Sequence, residues 1–210
     1  MAPILELHGV VKRFGGVAAV NGVSLSLERG RIYGLIGPNG SGKTTLFNCI
    51  TGVDQADEGL IRFKGRRIDR LKPHQIFHLG IGRTFQVIRV FPELTALENL
   101  LVVTTTGYDE ARRRAQELLE FVRVLMTDPE MILLDEPAGG VNRTLLNELL
   151  DAVRRLRDQG KTILLVEHDM KVVMGLCETV FVLDHGEKLA EGAPGVIQAD
   201  ERVIEAYFGR

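Results

Sequence analysis

Gly37-Pro38-Asn39-Gly40-Ser41-Gly42-Lys43-Thr44-Thr45 is the stretch of this sequence whose residue types and spacing bear most directly on chemistry. It fits the pattern GxxxxGK[ST] and lies between an apolar run, Ile32 to Ile36, and a segment with Leu46, Phe47 and Ile50 at helical spacing. Glycines let successive backbone N–H groups turn toward one point, and the helix that follows directs the positive end of its dipole there, so the loop suits phosphate oxygens. Lys43 is placed to reach the β- and γ-phosphates of a nucleotide, Thr44 to put a hydroxyl on Mg²⁺ and Thr45 to touch the α-phosphate. The bland alternative is a glycine-rich turn with a chance lysine, and the strand–loop–helix setting argues against it.

Asp135 and Glu136 close a second apolar strand, Met131 to Leu134. An acid at the C-terminal edge of such a sheet faces the crevice where ligands bind. Asp135 would hold Mg²⁺ there through water, and Glu136 would orient or deprotonate the attacking water. Without the glycine loop, the pair reads better as solvated acids starting a turn before Pro137. His168 follows a third apolar strand, TILLVE, and projects from the same edge, although a lone histidine there is more often structural than catalytic. Gln86, after Arg83-Thr84-Phe85, carries no signal in isolation, and Phe14 in VKRFGG reads as a core or turn aromatic.

These positions need a frame. Apolar runs at Ile4 to Leu7, Val23 to Leu27 and Ile32 to Ile36 predict strands, the first two antiparallel. Thr44 to Thr51 predicts a helix stopped by Gly52, Leu60 to Phe63 a strand, and Pro73 to Leu79 a short helix ending at Gly80. Leu94, Leu97, Leu100 and Leu101 form one helical stripe, and a very polar helix is expected over Asp109 to Val122. Together they predict a small helical subdomain over 87–122. Beyond it come a helix with Leu145, Leu146, Leu149, Leu150, Val153 and Leu156 on one face, a buried strand Thr162 to Val166, and a helix Met170 to Cys177. A hairpin through Asp184 to Gly186 and a last helix ending near Phe208 complete the pattern. Strands buried on both faces and alternating with amphipathic helices indicate an α/β fold with a mostly parallel core and an antiparallel β attachment.

Composition narrows the partners. The 210 residues, 45% hydrophobic and 26% charged, suit one globular domain. The 26 basic and 28 acidic residues are interleaved, a near-neutral balance that argues against nucleic acid as a partner. Cys49 and Cys177 stand apart from any metal-ligand spacing and read as core thiols in a reducing compartment. The N-terminal run MAPILELHGVVKRF lacks the charge-then-apolar order of a signal peptide. No apolar run approaches the roughly 18 residues of a membrane-spanning helix, so membrane contact is expected through a partner.

The order of these positions resembles that of the ATPases of ATP-binding cassette (ABC) transporters over nearly the whole chain. In that resemblance Phe14 is the aromatic that stacks on adenine, Gly37 to Thr45 the Walker A loop of a P-loop NTPase, and Gln86 the glutamine of the Q-loop. Asp135 and Glu136 match the Walker B acid and the catalytic glutamate, Ala138 to Asn142 the D-loop, and His168 the switch histidine. It implies that ATP and Mg²⁺ are the ligands, that Gln86 senses Mg²⁺ and the γ-phosphate, and that His168 hydrogen-bonds the γ-phosphate. RTFQ, FPELTALENLLV, VEHDMKVVMGLCETVFVLDHGEKLAEGAP and VIEAYFG look like the ATPases of branched-chain amino acid importers, wording that urea and short-amide importers share. The implied partners are a second ATPase subunit, in a homo- or heterodimer, transmembrane permease subunits docking near Gln86 to Leu100, and indirectly a periplasmic or extracellular solute-binding protein. The implied location is cytoplasmic, peripheral on the inner face of the cell membrane.

One element of the family pattern is absent. The LSGGQ-like signature, expected between the helical subdomain and Walker B, does not occur; the text runs from Leu118-Leu119-Glu120-Phe121-Val122 straight to Arg123-Val124-Leu125-Met126-Thr127-Asp128-Pro129. Residues 1–86 and 123–210 are then the nucleotide-binding core, with 87–122 an incomplete helical subdomain. Either the signature segment has dropped out of the continuous text between Val122 and Arg123, or the deletion is real and the cassette degenerate. The first is favoured, because a helix running through the join would put its apolar positions out of phase with either half. ABC sites are composite, the signature of one subunit serving the nucleotide held by the other. An importer ATPase therefore competes with a non-hydrolysing ATP-binding module. A DNA-repair or translation ABC protein, with paired cassettes or a long coiled-coil insertion, fits neither the length nor the charge.

Overall fold

The computed structural model describes residues 2–84, 128–138 and 143–208. Gln86, the helical subdomain expected over 87–122, the Val122–Arg123 join and Gly139 to Asn142 lie outside the described residues.

The first half of the chain builds an antiparallel sheet. β1 (Leu5–Phe14) folds back through Gly15 and Gly16 onto β2 (Val17–Leu27), and β4 (Glu58–Phe63) lies on the other side of β1. Lys64 and Gly65, both at positive φ (53° and 75°), turn β4 into the two-residue β5 (Arg66–Arg67). The order is β2-β1-β4-β5. β1 runs well past the expected Leu7, because its register shifts between Leu7 and Val10, around Gly9 at φ 56°. That bulge interrupts the period-two alternation by which a strand is recognised.

The second sheet carries the chemistry. Its order is β10-β9-β3-β8-β7-β6, with β3 (Ile32–Ile36), β6 (Ile81–Arg83), β7 (Met131–Asp135), β8 (Thr162–Val166) and β9 (Thr179–Asp184) parallel, and β10 (Glu187–Gly192) antiparallel at one edge. Alternate residues of its central strands enter two different cores. Tyr33, Leu35, Met131, Leu133, Leu164, Val166, Phe181 and Leu183 pack with α1 (Lys43–Thr51) and the antiparallel sheet. Ile32, Ile36, Ile132, Leu134, Ile163, Leu165, Val180 and Val182 pack on the opposite face. There they meet α3 (Arg143–Asp158), α4 (Met170–Leu176), α5 (Pro194–Ala199) and α6 (Glu201–Phe208), which follow α2 (Pro73–His78) in the chain. A sheet covered on both faces explains the near-continuous apolar runs of its strands. Each fully buried Leu or Ile contributes about 1.5–3 kcal/mol through removal of apolar surface from water.

Three elements escape the sequence pattern. β6 is three residues with a central glycine, too short to show alternation, and exists because β7 pairs with it. β5 is shorter still. α5 begins at Pro194, which suits a first helical position, but its N-cap Ala193 offers no capping side chain. Among the described residues no helix is long and apolar enough to cross a membrane.

Candidate functional site

The glycine loop leaves β3 and enters α1 through Gly42, whose φ of 100° belongs to glycine. No side chain caps α1 and no acid stands in its first turn, so its first N–H groups face the loop with their positive dipole end unopposed. The loop is pressed from below: a Cβ on Gly37 would come within 2.1 Å of the Leu183 carbonyl oxygen, and one on Gly42 within 2.2 Å of that of Ala19. The first and last glycines are thus fixed by the approach of β9 and β2. Gly40, at φ 80°, has open space where its Cβ would be.

Lys43 is buried and bends back over this loop. Its Nζ donates to the carbonyls of Gly37 (2.8 Å) and Pro38 (3.0 Å) and to Ser41 Oγ (3.4 Å). Those oxygens occupy the role that phosphate oxygens would take. Burial pulls the Lys43 pKa below its ordinary value, while Glu136 and Asp135 push it back up. The lysine, the two acids and the helix N-terminus therefore share one electrostatic environment. Thr44 is exposed and Thr45 half-buried at the head of α1, while Asn39 is exposed on the loop.

Asp135 ends β7 and Glu136 follows it. The Glu136 N–H donates to the Val166 carbonyl at 2.9 Å, and its backbone takes the left-handed conformation, φ 48°, uncommon for a residue with a side chain. Such a geometry costs of order 1–3 kcal/mol and is held by its surroundings. His168 follows β8, the strand between β3 and β7, so the three predicted positions arrive at one sheet edge. His168 Nδ1 lies 3.8 Å from Glu136 Oε2, with the imidazole well exposed.

The buried Glu167 was missed by the reading of the sequence. It is 0% exposed; Oε1 accepts from the Ala138 N–H (2.7 Å), and Oε2 accepts from the N–H groups of His168 (3.0 Å) and Asp169 (3.3 Å). One carboxylate thereby ties the turn after Glu136 to the turn carrying His168. An acid ending the otherwise apolar run TILLV was the available signal. Phe14, 51% exposed at the tip of the β1–β2 hairpin, has the Lys12 ammonium 5.2 Å from its ring centroid. The same hairpin reaches the glycine loop through Ala19.

These residues fit a nucleotide triphosphate with Mg²⁺. The loop offers N–H groups and a lysine to the phosphates. Thr44 and Asp135 supply a hydroxyl and a carboxylate, which suits a cation that keeps several waters and takes its other oxygens from phosphate.

Similarity to known proteins agrees with this arrangement. The chain is 39% identical over 250 residues to the high-affinity branched-chain amino acid transport ATP-binding protein BraF of Pseudomonas aeruginosa, covering 99% of this chain and 98% of that protein. It belongs to the ATP-binding proteins of ABC transporters. The high-affinity branched-chain amino acid transport ATP-binding protein LivG of Escherichia coli K12 is 38% identical over the same length. The ABC transporter family model matches residues 20–123, and that of the branched-chain amino acid ATP-binding cassette transporter matches 187–210. The fold of this ABC cassette is similar to the ADP conformation of an ATP-binding cassette of an ABC transporter, with TM-score 0.83 and 31% identity over 100% of both chains. It is similar also to a dimeric cassette in a post-hydrolysis state bound to ADP and Pi, with TM-score 0.78 and 25% identity over 90% of this chain and 98% of that one.

The alignment with BraF spans 250 residues against the 210 of this chain, a difference of 40. With nearly all of both proteins covered, that shortfall is internal. The ABC transporter match ends at residue 123, at the join where the signature is absent.

Proposed function

We propose that this chain is the ATP-binding and ATP-hydrolysing subunit of an ABC importer, energising uptake of branched-chain amino acids or a similar small solute through a partner permease. The observation that carries the proposal is the convergence of Lys43, Asp135, Glu136 and His168 on the loop edge of one mostly parallel sheet.

In this reading the backbone N–H groups of Gly40 to Thr45 hold the phosphates, and Lys43 exchanges its loop carbonyls for β- and γ-phosphate oxygens. Thr44 and Asp135 hold Mg²⁺, with Gln86 as a further ligand by the family resemblance. Mg²⁺, when bound, would supply positive charge against the negative charge that develops on the transferring phosphoryl group. Glu136 accepts a proton from the attacking water, and His168 donates a hydrogen bond to the γ-phosphate. Phe14 stacks on adenine.

The composite character of ABC sites makes a second cassette part of the machinery. That cassette supplies signature N–H and hydroxyl donors to the nucleotide held here, on the cytoplasmic face of the membrane, while a solute-binding protein delivers the solute from the other side. A second reading, an ATP-binding module without turnover, has one observation in its favour: the continuous sequence carries no LSGGQ-like run before Asp135. Retention of Glu136 beside His168 favours turnover.

The deciding experiment measures ATP hydrolysis by the full chain, alone and reconstituted with permease and second cassette, against Glu136→Gln. Hydrolysis stimulated by the permease and lost in Glu136→Gln supports the importer ATPase. ATP binding with no hydrolysis in the full assembly leaves only the binding module.

A further inference from the structure

Arg83 opens the segment RTFQ and has no part in the proposed handling of phosphate. Arg83 ends β6 and reaches across to β7, where its Nη2 lies 2.9 Å from Asp135 Oδ2. The two side chains are 6% and 4% exposed, so this is a pair largely withdrawn from water. On its other side the guanidinium grips α1: Nη1 donates to Asn48 Oδ1 at 2.7 Å and to Thr51 Oγ1 at 3.2 Å. Its Cζ lies 5.6 Å from the centroid of the Phe47 ring.

The acceptors are themselves fixed. The Asn48 amide donates to Asp54 Oδ2 at 2.8 Å, which turns Oδ1 toward Arg83. The Thr51 hydroxyl donates to the Phe47 carbonyl at 2.8 Å, leaving its lone pairs for the guanidinium. The neighbouring Thr84 adds a second hold on the same acid: its Oγ1 accepts from the Asp135 N–H at 3.3 Å, while its own N–H donates to the Leu133 carbonyl at 3.0 Å.

We propose that Arg83 is a positioning residue that orients the Asp135 carboxylate for Mg²⁺ by tying the end of β7 to the helix that follows the phosphate loop. The proposal rests on the reading of Asp135 as the magnesium-binding acid. The ion pair engages Oδ2, and a carboxylate has a second oxygen with which to meet a hydrated cation. A rigid, planar guanidinium bridges the acid and the helix at once, whereas a lysine ammonium is a point charge on a flexible stem. Groups that hold a ligating carboxylate in place govern metal affinity even though they never touch the metal.

The test is the Mg²⁺ dependence of binding of a fluorescent ATP analogue to the full chain, compared with its binding in EDTA. Arg83→Lys keeps the buried charge balanced. It is expected to raise the Mg²⁺ concentration for half-maximal effect by about 10- to 100-fold while changing affinity in EDTA less than about twofold. Asn48→Ala removes one anchor without stranding a charge, and is expected to shift the Mg²⁺ dependence in the same direction by a smaller factor. Arg83→Lys with a wild-type Mg²⁺ dependence, or with equal losses with and without Mg²⁺, overturns the proposal. Asp135→Asn separates the two levels: if it leaves the Mg²⁺ dependence unchanged, the reading of Asp135 falls and the role of Arg83 with it. If it abolishes that dependence while Arg83→Lys does nothing, only the role of Arg83 falls.

Discussion

Glu136 Oε2 and His168 Nδ1 lie 3.8 Å apart at the ends of two adjacent parallel strands, β7 and β8. The chain separates them by the whole of α3, and the sheet returns them to one edge. The distance is beyond a direct hydrogen bond. Glu136→Gln keeps the shape and removes the proposed base. It is expected to lower hydrolysis in the assembled transporter by about 10²–10⁴-fold, with Mg-ATP affinity retained. His168→Ala is expected to lower hydrolysis likewise. Steady-state phosphate release, with binding measured in parallel, checks both. Loss of binding rather than turnover would place these residues outside catalysis.

Burial holds the Lys43 ammonium below the ordinary lysine pKa of 10.5, against the pull of Glu136 and Asp135. Anionic phosphates favour the charged form, so nucleotide binding is linked to protonation of Lys43. Affinity for Mg-ATP is therefore expected to be full near neutral pH and to fall as pH rises through the depressed value, beginning below 10.5. Titration of a fluorescent ATP analogue across alkaline pH gives the profile. Onset only at or above the ordinary lysine range contradicts the burial of Lys43.

Glu167 joins the turn after Glu136 to the turn carrying His168 with three backbone hydrogen bonds. Glu167→Ala strands those N–H groups and is expected to lower stability by about 2–4 kcal/mol in urea unfolding. Glu167→Gln preserves the volume and one acceptor oxygen, and is expected to spare binding while slowing hydrolysis. Stability unchanged in Glu167→Ala would show that the carboxylate is not what joins the turns.

The two cysteines offer a probe of the cores on either side of the sheet. Burial pushes the thiols of Cys49 and Cys177 up to about 12 from an ordinary 9.0. Their thiolate fraction near neutral pH is lower than that of a free cysteine by about a thousandfold, and reaction with a disulfide reagent should be slower accordingly. Urea should restore the rate. Because the folded pKa is raised, the stability these thiols contribute is intact below pH 9 and lost as pH climbs from 9.0 toward about 12. Fast labelling of the folded chain at neutral pH runs against the burial described.

Much of this site is legible in the order of residues. The strand–loop–helix at Gly37 to Thr45 has a period, a glycine pattern and a stop at Gly52, and each reflects local physics. Met131 to Asp135 and Thr162 to Val166 are read from continuous apolar runs, because a sheet covered on both faces demands them. Arg83 and Glu167 are not legible in that way. Their partners, Asp135 at 52 residues' separation and Ala138 at 29, are brought close only by strand pairing. β6 itself has no periodic signal and depends on β7. The left-handed backbone of Glu136 leaves no trace in composition, since glycine rather than glutamate is the usual marker of that conformation.

Equilibrium titration of the full chain with a fluorescent ATP analogue and Mg²⁺, with Lys43→Ala alongside, tests the central claim most directly. The account predicts saturable binding that unlabelled ATP displaces, weakened by about tenfold or more when the charged hydrogen bonds of Lys43 are removed. No saturable binding, or equal affinity in Lys43→Ala, would contradict it.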